Sequence, residues 1–356
     1  MERKPETVIW VIGYKSMLGA ELSALFLKLR MPHIISDANT DVTDIESLWA
    51  FVKTQEKQEK KIDWIINCTG YPADKAENNS DSCRAVNSAG PANIAKIAKR
   101  LRAKFIHIST DSVFDGEGIY SEELCGPRPY RESDETSPTG VIGAAKRDGE
   151  RGARKNSSHL TYIIRTSWLY GSCGGNFVSN MLQLMKEQDA VFVDDRRRAS
   201  PTWTYDLALA IAVLIRASND GENIPSGIYH YTNDGDATQL EFARKIYALG
   251  RKFGLLTRDC AINPGDGAEL SVRTAEPGYF VLDKRKIRSA LHIKLRMWDS
   301  SLASYMKYLL PKEKDPEDAE EDKLLAISEK YPDSDLARLE ERLEKIHSPT
   351  PGTARE

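Results

Sequence analysis

Short runs of β-branched and aromatic residues alternate with longer amphipathic segments through the first half of the chain. Such runs are typical of buried strands, and we predict strands at TVIWVI (7–12), HIIS (33–36), DWIINC (63–68), KFIHIS (104–109) and LTYIIRTS (160–167). The segments between the runs carry apolar residues at the spacing of a helix face. The predicted helices span residues 17–29, 44–54, 82–101 and 140–154.

This alternation of strand and helix predicts a parallel sheet. Right-handed crossovers place helices on both faces, so the predicted fold class is α/β with a doubly wound sheet, and the carboxyl ends of its strands form a crevice for a ligand. Beyond Arg165 the pattern is less regular, and loops rich in Gly, Pro and Asp separate predicted helices at 176–186, 205–217 and 239–254. This second part predicts a smaller C-terminal α/β lobe that closes over the crevice.

The composition changes near Lys312. KEKDPEDAEEDK (312–323) is a charge run typical of a linker, and it is followed by SDLARLEERLEKI (334–346), in which Ser334 is a candidate N-cap. The apolar residues of the second segment form one helical stripe, made of Leu336, Leu339, Leu343 and Ile346. The pattern leaves two interpretations open: a helix packed on its own domain, or one that docks with a protein partner or forms a homodimer.

Composition and charge exclude some classes of protein. The chain has 356 residues, 40% hydrophobic and 29% charged, with a net charge of -3. We expect a globular protein with no nucleic-acid or membrane partner, because such partners need a concentrated positive field. The apolar run 8–12 is too short to span a bilayer and MERKPET (1–7) lacks signal-peptide features, so we expect a cytoplasmic protein. The five scattered cysteines form no C-x-x-C pair and predict neither a disulfide nor a metal site.

The first strand leads into a glycine-containing turn and a helix, VIWVIGYKSMLGAEL (8–22). Gly13 suits the tight turn and Gly19 suits close packing, while free N–H groups at the helix start suit a diphosphate. Ser16 stands where a dinucleotide fingerprint would place another glycine. Asp37, at the end of the second strand, suits the ribose hydroxyls, which favours NAD over NADP without deciding between them. The alternative is an ordinary strand-to-helix turn.

Further motifs follow in order along the chain: INCTGYPADKAE (66–77), VNSAGPANIAKIAK (86–99), HISTDSVFDG (107–116), RTSWLYG (165–171), NFVSNML (176–182), SPTWTYDLA (200–208), GIYHYTN (227–233) and VLDKRKI (281–287). With this series the chain resembles the dTDP-4-dehydrorhamnose reductases, members of the extended short-chain dehydrogenase/reductase group. The resemblance implies a dinucleotide-binding Rossmann domain at 1–165 and a mainly substrate-binding lobe at 166–311. It leaves 312–356 as a charged linker and an amphipathic helix.

The resemblance also implies an activity, in which a reduced nicotinamide, NAD(P)H, transfers hydride to the C4 ketone of a nucleotide-sugar substrate. The implied catalytic set of Thr, Tyr and Lys corresponds here to Thr110, Ile142 and Lys146. A tyrosine beside a lysine ammonium would donate the proton to the carbonyl oxygen, and isoleucine has none to donate. Thr110 would still bind the oxygen and Lys146 the nicotinamide ribose, so binding is expected to survive a rate loss of about 10²–10⁴-fold.

The resemblance assigns further residues to the two ligands. The predicted cofactor-binding residues are Gly13, Ser16, Met17, Leu18, Gly19, Asp37, Asp41, Val42, Thr69, Gly70, Tyr71, Asn87 and Lys146. The predicted substrate-binding residues are Asp111, Ser112, Trp168 and Asn176. The two aromatic residues in these sets, Tyr71 and Trp168, would serve equally well as packing residues.

Several other positions depart from the family pattern. Ser112 stands where a tyrosine lies beside the substrate, Glu276 where an arginine precedes a proline, and Phe280 where a small hydroxyl residue is usual. Glu276 would repel a diphosphate that it faced. The loop DDRRRAS (194–200) contains three consecutive arginines, residues 196–198. We interpret them as solvated surface charges, and replacement contacts to phosphate are the alternative.

Two hypotheses about function follow. The first is a nucleotide-sugar reductase that is slowed by Ile142 or that uses a substitute proton donor, such as Tyr120 or Tyr130. The second is a non-catalytic pseudoenzyme that holds a nucleotide or a nucleotide sugar and acts through a protein partner, with the segment 334–346 as its docking element. The family motifs favour the first hypothesis, whereas Ser16, Ile142 and the other departures favour the second.

Overall fold

The computed structural model describes residues 6–265, 278–310 and 327. The strands are β1 (Glu6–Ile12), β2 (His33–Ser36), β3 (Lys60–Asn67), β4 (Lys104–Thr110), β5 (Ile119–Ser121), β6 (Gly126–Arg128), β7 (Thr161–Thr166), β8 (Leu169–Tyr170), β9 (Ala190–Val193), β10 (Arg197–Ala199), β11 (Thr202–Trp203), β12 (Gly227–His230), β13 (Ala237–Thr238), β14 (Ala261–Pro264) and β15 (Gly278–Tyr279). The α-helices are α1 (Met17–Lys28), α2 (Ile45–Lys57), α3 (Ala73–Ala76), α4 (Ser80–Arg84), α5 (Gly90–Leu101), α6 (Val141–Ser157), α7 (Phe177–Glu187), α8 (Thr204–Asn219), α9 (Gln239–Lys252), α10 (Arg285–Leu291) and α11 (Trp298–Tyr308).

A six-stranded sheet in the order β12-β7-β4-β3-β1-β2 forms the centre of the molecule. Every neighbouring pair in it is parallel. The chain moves from β1 outwards to β2 and then crosses to β3 on the other side of β1, so the strand order reverses between β1 and β3. A crevice opens at the carboxyl ends of the strands at such a reversal. The predicted α/β fold with a doubly wound parallel sheet is confirmed.

Successive side chains of β1 enter two different hydrophobic cores, because they point to opposite faces of the sheet. Ile9 and Val11 are buried in the core that includes residues of α1 and α8. Val8, Trp10 and Ile12 are buried in the core that includes residues of α2 and α5, where the Trp10 ring stacks on Phe51. Because both faces are covered, the strand is apolar at every position from 8 to 12, which is why the sequence run predicted it clearly.

The sixth strand, β12, comes from beyond the predicted boundary at Arg165. It pairs with β7, so that His230 lies opposite Arg165. Helix α8 also packs on the same sheet unit, next to α1, and Thr204 at its start donates a buried hydrogen bond to Glu21. Residues 204–230 therefore belong with the sheet, although they lie in the range predicted to be mainly a substrate lobe. The four-residue run of β12 begins with a glycine and is too short for periodicity to indicate a strand.

The helix predicted at 82–101 is interrupted by one turn of π-helix at Ala85–Ala89, between α4 and α5. The wider turn brings Asn87 and its carbonyl oxygen against α6. A Cβ on Gly149 of α6 would lie 2.1 Å from that oxygen, so the two helices touch backbone to backbone. Single π-turns of this kind occur frequently at functional sites.

The second lobe contains a small sheet in the order β13-β10-β15 and the helices α7, α9 and α11. The predicted linker 312–323, the predicted helix 334–346 and Glu276 lie outside the described residues. Ile327 is described, and it is buried in the same core as α1 and α8. In the part of the chain that the structure describes, no helix combines the length and the apolar character needed to cross a bilayer.

Candidate functional site

The turn between β1 and α1 lies at the crevice and depends on its two glycines. Gly13 has a φ of +78°, and a Cβ there would lie 3.0 Å from the backbone nitrogen of Thr69. A Cβ on Gly19 would lie 2.2 Å from the carbonyl oxygen of Gly13. Both positions therefore exclude larger residues on steric grounds. This is the tight turn and close helix approach that the fingerprint predicted.

Ser16 is the N-cap of α1 in this turn. Its Oγ accepts a hydrogen bond from the Gly19 amide at 3.1 Å, so one of the free N–H groups at the helix start is already satisfied. Leu18 is buried in the core, and a cofactor can reach this residue only through its backbone. Met17 lies close to Gly171, at the start of the predicted substrate lobe: a Cβ added to Gly171 would lie 3.3 Å from the Met17 Cγ.

The predicted ribose-binding residues lie in the loop after β2. Asp37 follows the strand directly, and its amide donates to Asn39. The Asp41 carboxylate accepts hydrogen bonds from the amide and the hydroxyl of Thr43, both at 2.8 Å. Val42 is buried, and its Cγ2 would lie 2.9 Å from a Cβ on Gly90 of α5. The loop is thus anchored to α5, with the two aspartates at its ends.

The segment after β3 forms the opposite wall of the cofactor side. The Thr69 hydroxyl donates to Asn67 at 2.7 Å, and the Tyr71 amide donates to the Asn87 side chain at 3.2 Å. A Cβ on Gly70 would lie 3.9 Å from the Lys146 Nζ. The π-turn residue Asn87 and α6 are therefore connected to this wall, and the contacts of these residues with a cofactor stay predictions.

Lys146 lies on α6 with its ammonium between the ends of two strands. Nζ donates to the carbonyl oxygens of Ile108 at 3.0 Å and Thr69 at 3.3 Å. Burial lowers the pKa of Lys146 to about 8, although Cys68 and Glu150 oppose this shift. Burial also raises the pKa of the Cys68 thiol to about 12, so that the thiol remains neutral beside the ammonium. Lys146 therefore loses its charge just above neutral pH.

Ile142 lies one helical turn before Lys146, in an apolar environment. It packs with Tyr71 and Val141 against a buried cluster made of Ala76, Cys83 and Ala145. The next residue, Gly143, lies directly against the single 3-10 turn Asp111–Val113 that follows β4, since a Cβ there would be 2.0 Å from the carbonyl oxygen of Ser112. Position 142 is thus one residue away from the contact with Ser112, and its side chain contributes hydrophobic packing.

Thr110, Asp111 and Ser112 form a compact polar network at the end of β4. The Thr110 Oγ1 lies 3.0 Å from Asp111 Oδ1 and 3.4 Å from Ser112 Oγ. The Asp111 carboxylate is 3% exposed, and its Oδ2 accepts a hydrogen bond from Ser167 at 2.6 Å. Buried in this way, Asp111 orients the two neighbouring hydroxyls. Its predicted contact with a substrate stays a prediction.

Arg197 enters the same network from β10, although we predicted it to be a solvated surface charge, with contact to phosphate as the alternative. It is 6% exposed, and its Nη2 lies 3.5 Å from both Asp111 Oδ2 and Ser112 Oγ. Its guanidinium also stacks on Phe280, 3.8 Å from the ring centroid. The interpretation of solvated surface charge is therefore wrong for Arg197. The alternation of side chains between the two faces of a strand could have indicated this burial. Along β10 it points Arg197 inwards, and it points Arg198 towards Asp236 and Glu241 at the surface.

Trp168 and Asn176 occupy the predicted substrate side. Trp168 has a φ of +41° and stacks on Phe242, with the ring centroids 6.4 Å apart. Asn176 is the N-cap of α7, where its Oδ1 accepts from two amides and its Nδ2 donates to the Gly171 carbonyl at 3.0 Å. The oxygen and the nitrogen of the Asn176 amide thus both hold backbone groups. Substrate contacts by these two residues stay predictions.

Neither tyrosine proposed as a substitute proton donor is directed towards Thr110. The Tyr130 hydroxyl donates to Asp115 at 2.6 Å and accepts from the Gly118 amide at 2.7 Å. Burial and the Asp115 carboxylate raise the pKa of Tyr130 above its usual range. Tyr120 lies on the β5-β6 hairpin and is 70% exposed. Within residues 6–265 and 278–310, no group of three or more His, Cys, Asp or Glu side chains is arranged to hold a metal ion.

Known proteins resemble this chain over almost all of the described range. A dTDP-4-dehydrorhamnose reductase from Streptomyces griseus is 35% identical over 298 residues, which cover 82% of this chain and 91% of that protein. One from Mycobacterium tuberculosis is 32% identical over 302 residues, which cover 83% of this chain and 90% of that protein.

Solved structures agree with the sequence relatives. A dTDP-4-dehydrorhamnose reductase from Clostridium acetobutylicum matches with a TM-score of 0.73 and 29% identity, over 85% of this chain and 99% of that one. One from Bacillus anthracis, solved in complex with NADP, matches with a TM-score of 0.72 and 28% identity over the same shares. The family profile of the RmlD substrate binding domain covers residues 7–310. This chain belongs to the RmlD substrate-binding domain family.

Proposed function

We propose that this protein binds NAD(P)H and a nucleotide-linked 4-keto sugar in the crevice and reduces the ketone slowly. One observation carries the proposal. The glycine turn, the Lys146 ammonium and the Thr110 hydroxyl lie together at the carboxyl ends of β1, β3 and β4. The names of the Streptomyces griseus and Mycobacterium tuberculosis relatives support the substrate class.

The residues around the crevice fit a dinucleotide. The steric limits at Gly13 and Gly19 keep side chains away from the start of α1, where backbone N–H groups and the helix dipole favour a diphosphate. Asp37 and Asp41 lie at the end of β2, where ribose hydroxyls would be bound. Lys146 would hold the nicotinamide ribose with its one remaining N–H group. The NADP bound to the Bacillus anthracis relative and the carboxylate of Asp37 favour different cofactors, so both are to be tested.

Reduced nicotinamide would supply the hydride. The residues of the chain then have three tasks: to orient the ketone, to stabilise the charge that develops on its oxygen, and to deliver a proton. Thr110 suits the first task once its hydroxyl, which here donates its one proton to Asp111 and accepts from the Ser112 amide, turns that proton to the ketone oxygen. Ile142 cannot perform the third. We therefore propose weak turnover, with ligand binding preserved.

A binding protein without turnover is the second candidate, and the packing of Ile142 favours it. Ile142 packs, with Tyr71 and Val141, against the buried side chains of Ala76, Cys83 and Ala145. The position where a tyrosine proton donor was expected is therefore part of an apolar cluster. In this case the protein would act through a protein partner, with the segment 334–346 as the predicted docking element. The docking role of that segment and the predicted cytoplasmic location both stay predictions.

We expect calorimetry to detect NADPH or NADH and dTDP binding to the full chain, and rapid mixing to detect slow single-turnover oxidation with a dTDP-4-keto-6-deoxysugar. Lys146→Met should weaken cofactor binding by about tenfold, the loss expected for one charge-assisted hydrogen bond. Arg151→Met, an exposed position on the same helix, is the matched control. Binding without turnover would support the second candidate. Failure of wild type to bind either cofactor would overturn the reductase, and failure to bind dTDP as well would overturn both candidates.

Cofactor affinity is expected to depend on pH through Lys146. Because its pKa is lowered to about 8, the ammonium is present at pH 7 and largely lost at pH 9. The dissociation constant for NADPH should therefore rise between these values in wild type, by up to about tenfold. Lys146→Met should show a flatter dependence. Equal slopes in the two proteins would show that Lys146 does not hold the cofactor.

A further inference from the structure

The crevice contains a buried positive charge that the proposed catalytic set does not use. Arg197 is 6% exposed, and burying a guanidinium is unfavourable unless other groups compensate for the loss of water. The Phe280 ring faces it at 3.8 Å, but its polar contacts are long, at 3.5 Å to Asp111 and Ser112. Its Nε is buried without a hydrogen-bond partner among the described residues. The guanidinium is thus held in place while part of its donor capacity remains unused.

The contact with the Asp111 carboxylate uses only part of the hydrogen-bonding capacity of the Arg197 guanidinium. The Asp111 carboxylate lies 2.6 Å from the Ser167 hydroxyl, 3.0 Å from Thr110 Oγ1 and 3.1 Å from Ser112 Oγ. All three contacts are shorter than its contact with Arg197. Because a guanidinium has five N–H donors in a rigid fork, Arg197 can retain this ion pair and bind a second anionic oxygen.

Arg197 lies at the reacting end of the crevice, beside the residues that flank Thr110. Its Nη2 is 3.5 Å from Ser112 Oγ, which in turn is 3.4 Å from Thr110 Oγ1. Ser112 also supplies the carbonyl oxygen against which Gly143 packs. The segment 110–112 is therefore bordered by Arg197 and by Gly143, the residue after Ile142.

We propose that Arg197 supplies the positive charge that stabilises the substrate oxygen as the ketone is reduced, in a site where Ile142 provides no proton donor. This inference rests on the proposed reductase function. Serine at position 112 is part of the arrangement, because a bulkier side chain there would meet the guanidinium. In this arrangement the permanent positive charge of Arg197, beside the small side chain of Ser112, stabilises the oxygen in place of the proton that a tyrosine at position 142 would donate.

The reaction balances without an acidic side chain. Hydride from the reduced nicotinamide of the proposed function would add to the carbonyl carbon and leave the nicotinamide oxidised. The π electron pair of the C=O bond would move onto the oxygen, and Arg197 would hold the resulting alkoxide as an ion pair. A water molecule then protonates the alkoxide, which gives the alcohol and hydroxide. Arg197 keeps its proton throughout, since a guanidinium is not deprotonated in proteins. Water is a weaker acid than a phenol, which agrees with slow turnover.

A double-mutant cycle tests this role, with kcat and KM measured for Arg197→Met in wild type and in Ile142→Tyr. Methionine retains contact with Phe280 while removing the charge. In wild type we expect kcat to fall by about 10²–10³-fold, as for loss of an oxyanion donor, with KM changing little. In Ile142→Tyr the fall should be below about tenfold, because the phenol then protonates the oxygen. Arg198→Met, its surface neighbour, should leave kcat unchanged.

A readout without turnover accompanies the cycle. Calorimetric affinity for dTDP should be unchanged by Arg197→Met, because the residue acts at the ketone and not at the nucleotide. Arg197→Lys, which retains a charge, should keep part of kcat and gives a second test if Arg197→Met fails to fold. An equal loss of kcat in both backgrounds, or a weaker dTDP affinity, would assign Arg197 to structure or to the diphosphate and overturn the proposal.

Two further outcomes separate this inference from the reductase function itself. Turnover by Ile142→Tyr but not by wild type would leave the reductase chemistry in place and overturn the role of Arg197. Absence of turnover in both backgrounds, with NADPH and dTDP still bound, would overturn the reductase function and with it this role.

Discussion

Replacing Ile142 by tyrosine is expected to raise the single-turnover rate of ketone reduction by about 10²–10⁴-fold, the usual contribution of a positioned proton donor. Position 142 lies one turn before Lys146 on α6, and the residue after it, Gly143, packs against Ser112. A tyrosine there would lie on the same helix face as the ammonium. The ammonium would then lower the pKa of the phenol and ready it to donate a proton.

Ile142→Phe is the matched control, because phenylalanine has the ring of tyrosine without its hydroxyl. Both substitutions place a ring beside Tyr71 at a partly buried position, so changes in packing should be shared and only Ile142→Tyr should gain rate. The measurement is NAD(P)H oxidation at saturating cofactor. Equal rates for wild type and Ile142→Tyr would show that the protein already has an effective donor. Gains of the same size in both variants would point to packing instead.

Replacing Arg165 by methionine is expected to lower the free energy of unfolding by about 3 to 5 kcal/mol, as for loss of one partner from a buried ion pair. Arg165 donates to the two carboxylate oxygens of Glu150 at 2.9 and 2.7 Å. The two side chains are 3% and 4% exposed. The Glu150 carboxylate also accepts from Ser109 at 2.5 Å. Methionine at 165 would leave this charge buried with Ser109 as its remaining hydrogen-bond donor and with Lys146 as a charge that acts on it without a hydrogen bond.

Urea unfolding of three variants separates two quantities: the loss in free energy of unfolding when one partner of the pair is removed, and the net contribution of the intact ion pair. Arg165→Met with Glu150→Leu should recover most of the lost stability, since replacing both charges by apolar groups is often nearly neutral. Arg258→Met, which removes an exposed pair with Asp189, should change stability by less than about 1 kcal/mol. A loss below about 1 kcal/mol for Arg165→Met alone would show that water solvates Glu150 in the native state.

The central strands and the glycine turn could be predicted from sequence because their signals are local. A strand covered on both faces is apolar at each position, as in residues 8–12, and the spacing of Gly13 and Gly19 indicates the tight turn directly. The four-residue spacing of Ile142 and Lys146 likewise places both on one face of α6. Such features depend on residues a few positions apart, so the order of amino acids is sufficient to reveal them.

Features set by partners distant in the chain could not be predicted in this way. The strand β12 is defined by pairing with β7, some sixty residues earlier, and the π-turn around Asn87 by contact with Gly149. Arg197 looks like one member of a surface charge run until β10 pairs with β15 and turns its side chain towards Asp111 and Phe280. Sequence alone determined the sheet, the turn and the absence of a hydroxyl at Ile142. Tertiary structure decided which charge lies beside Thr110, because burial and ion pairing arise only when distant segments meet.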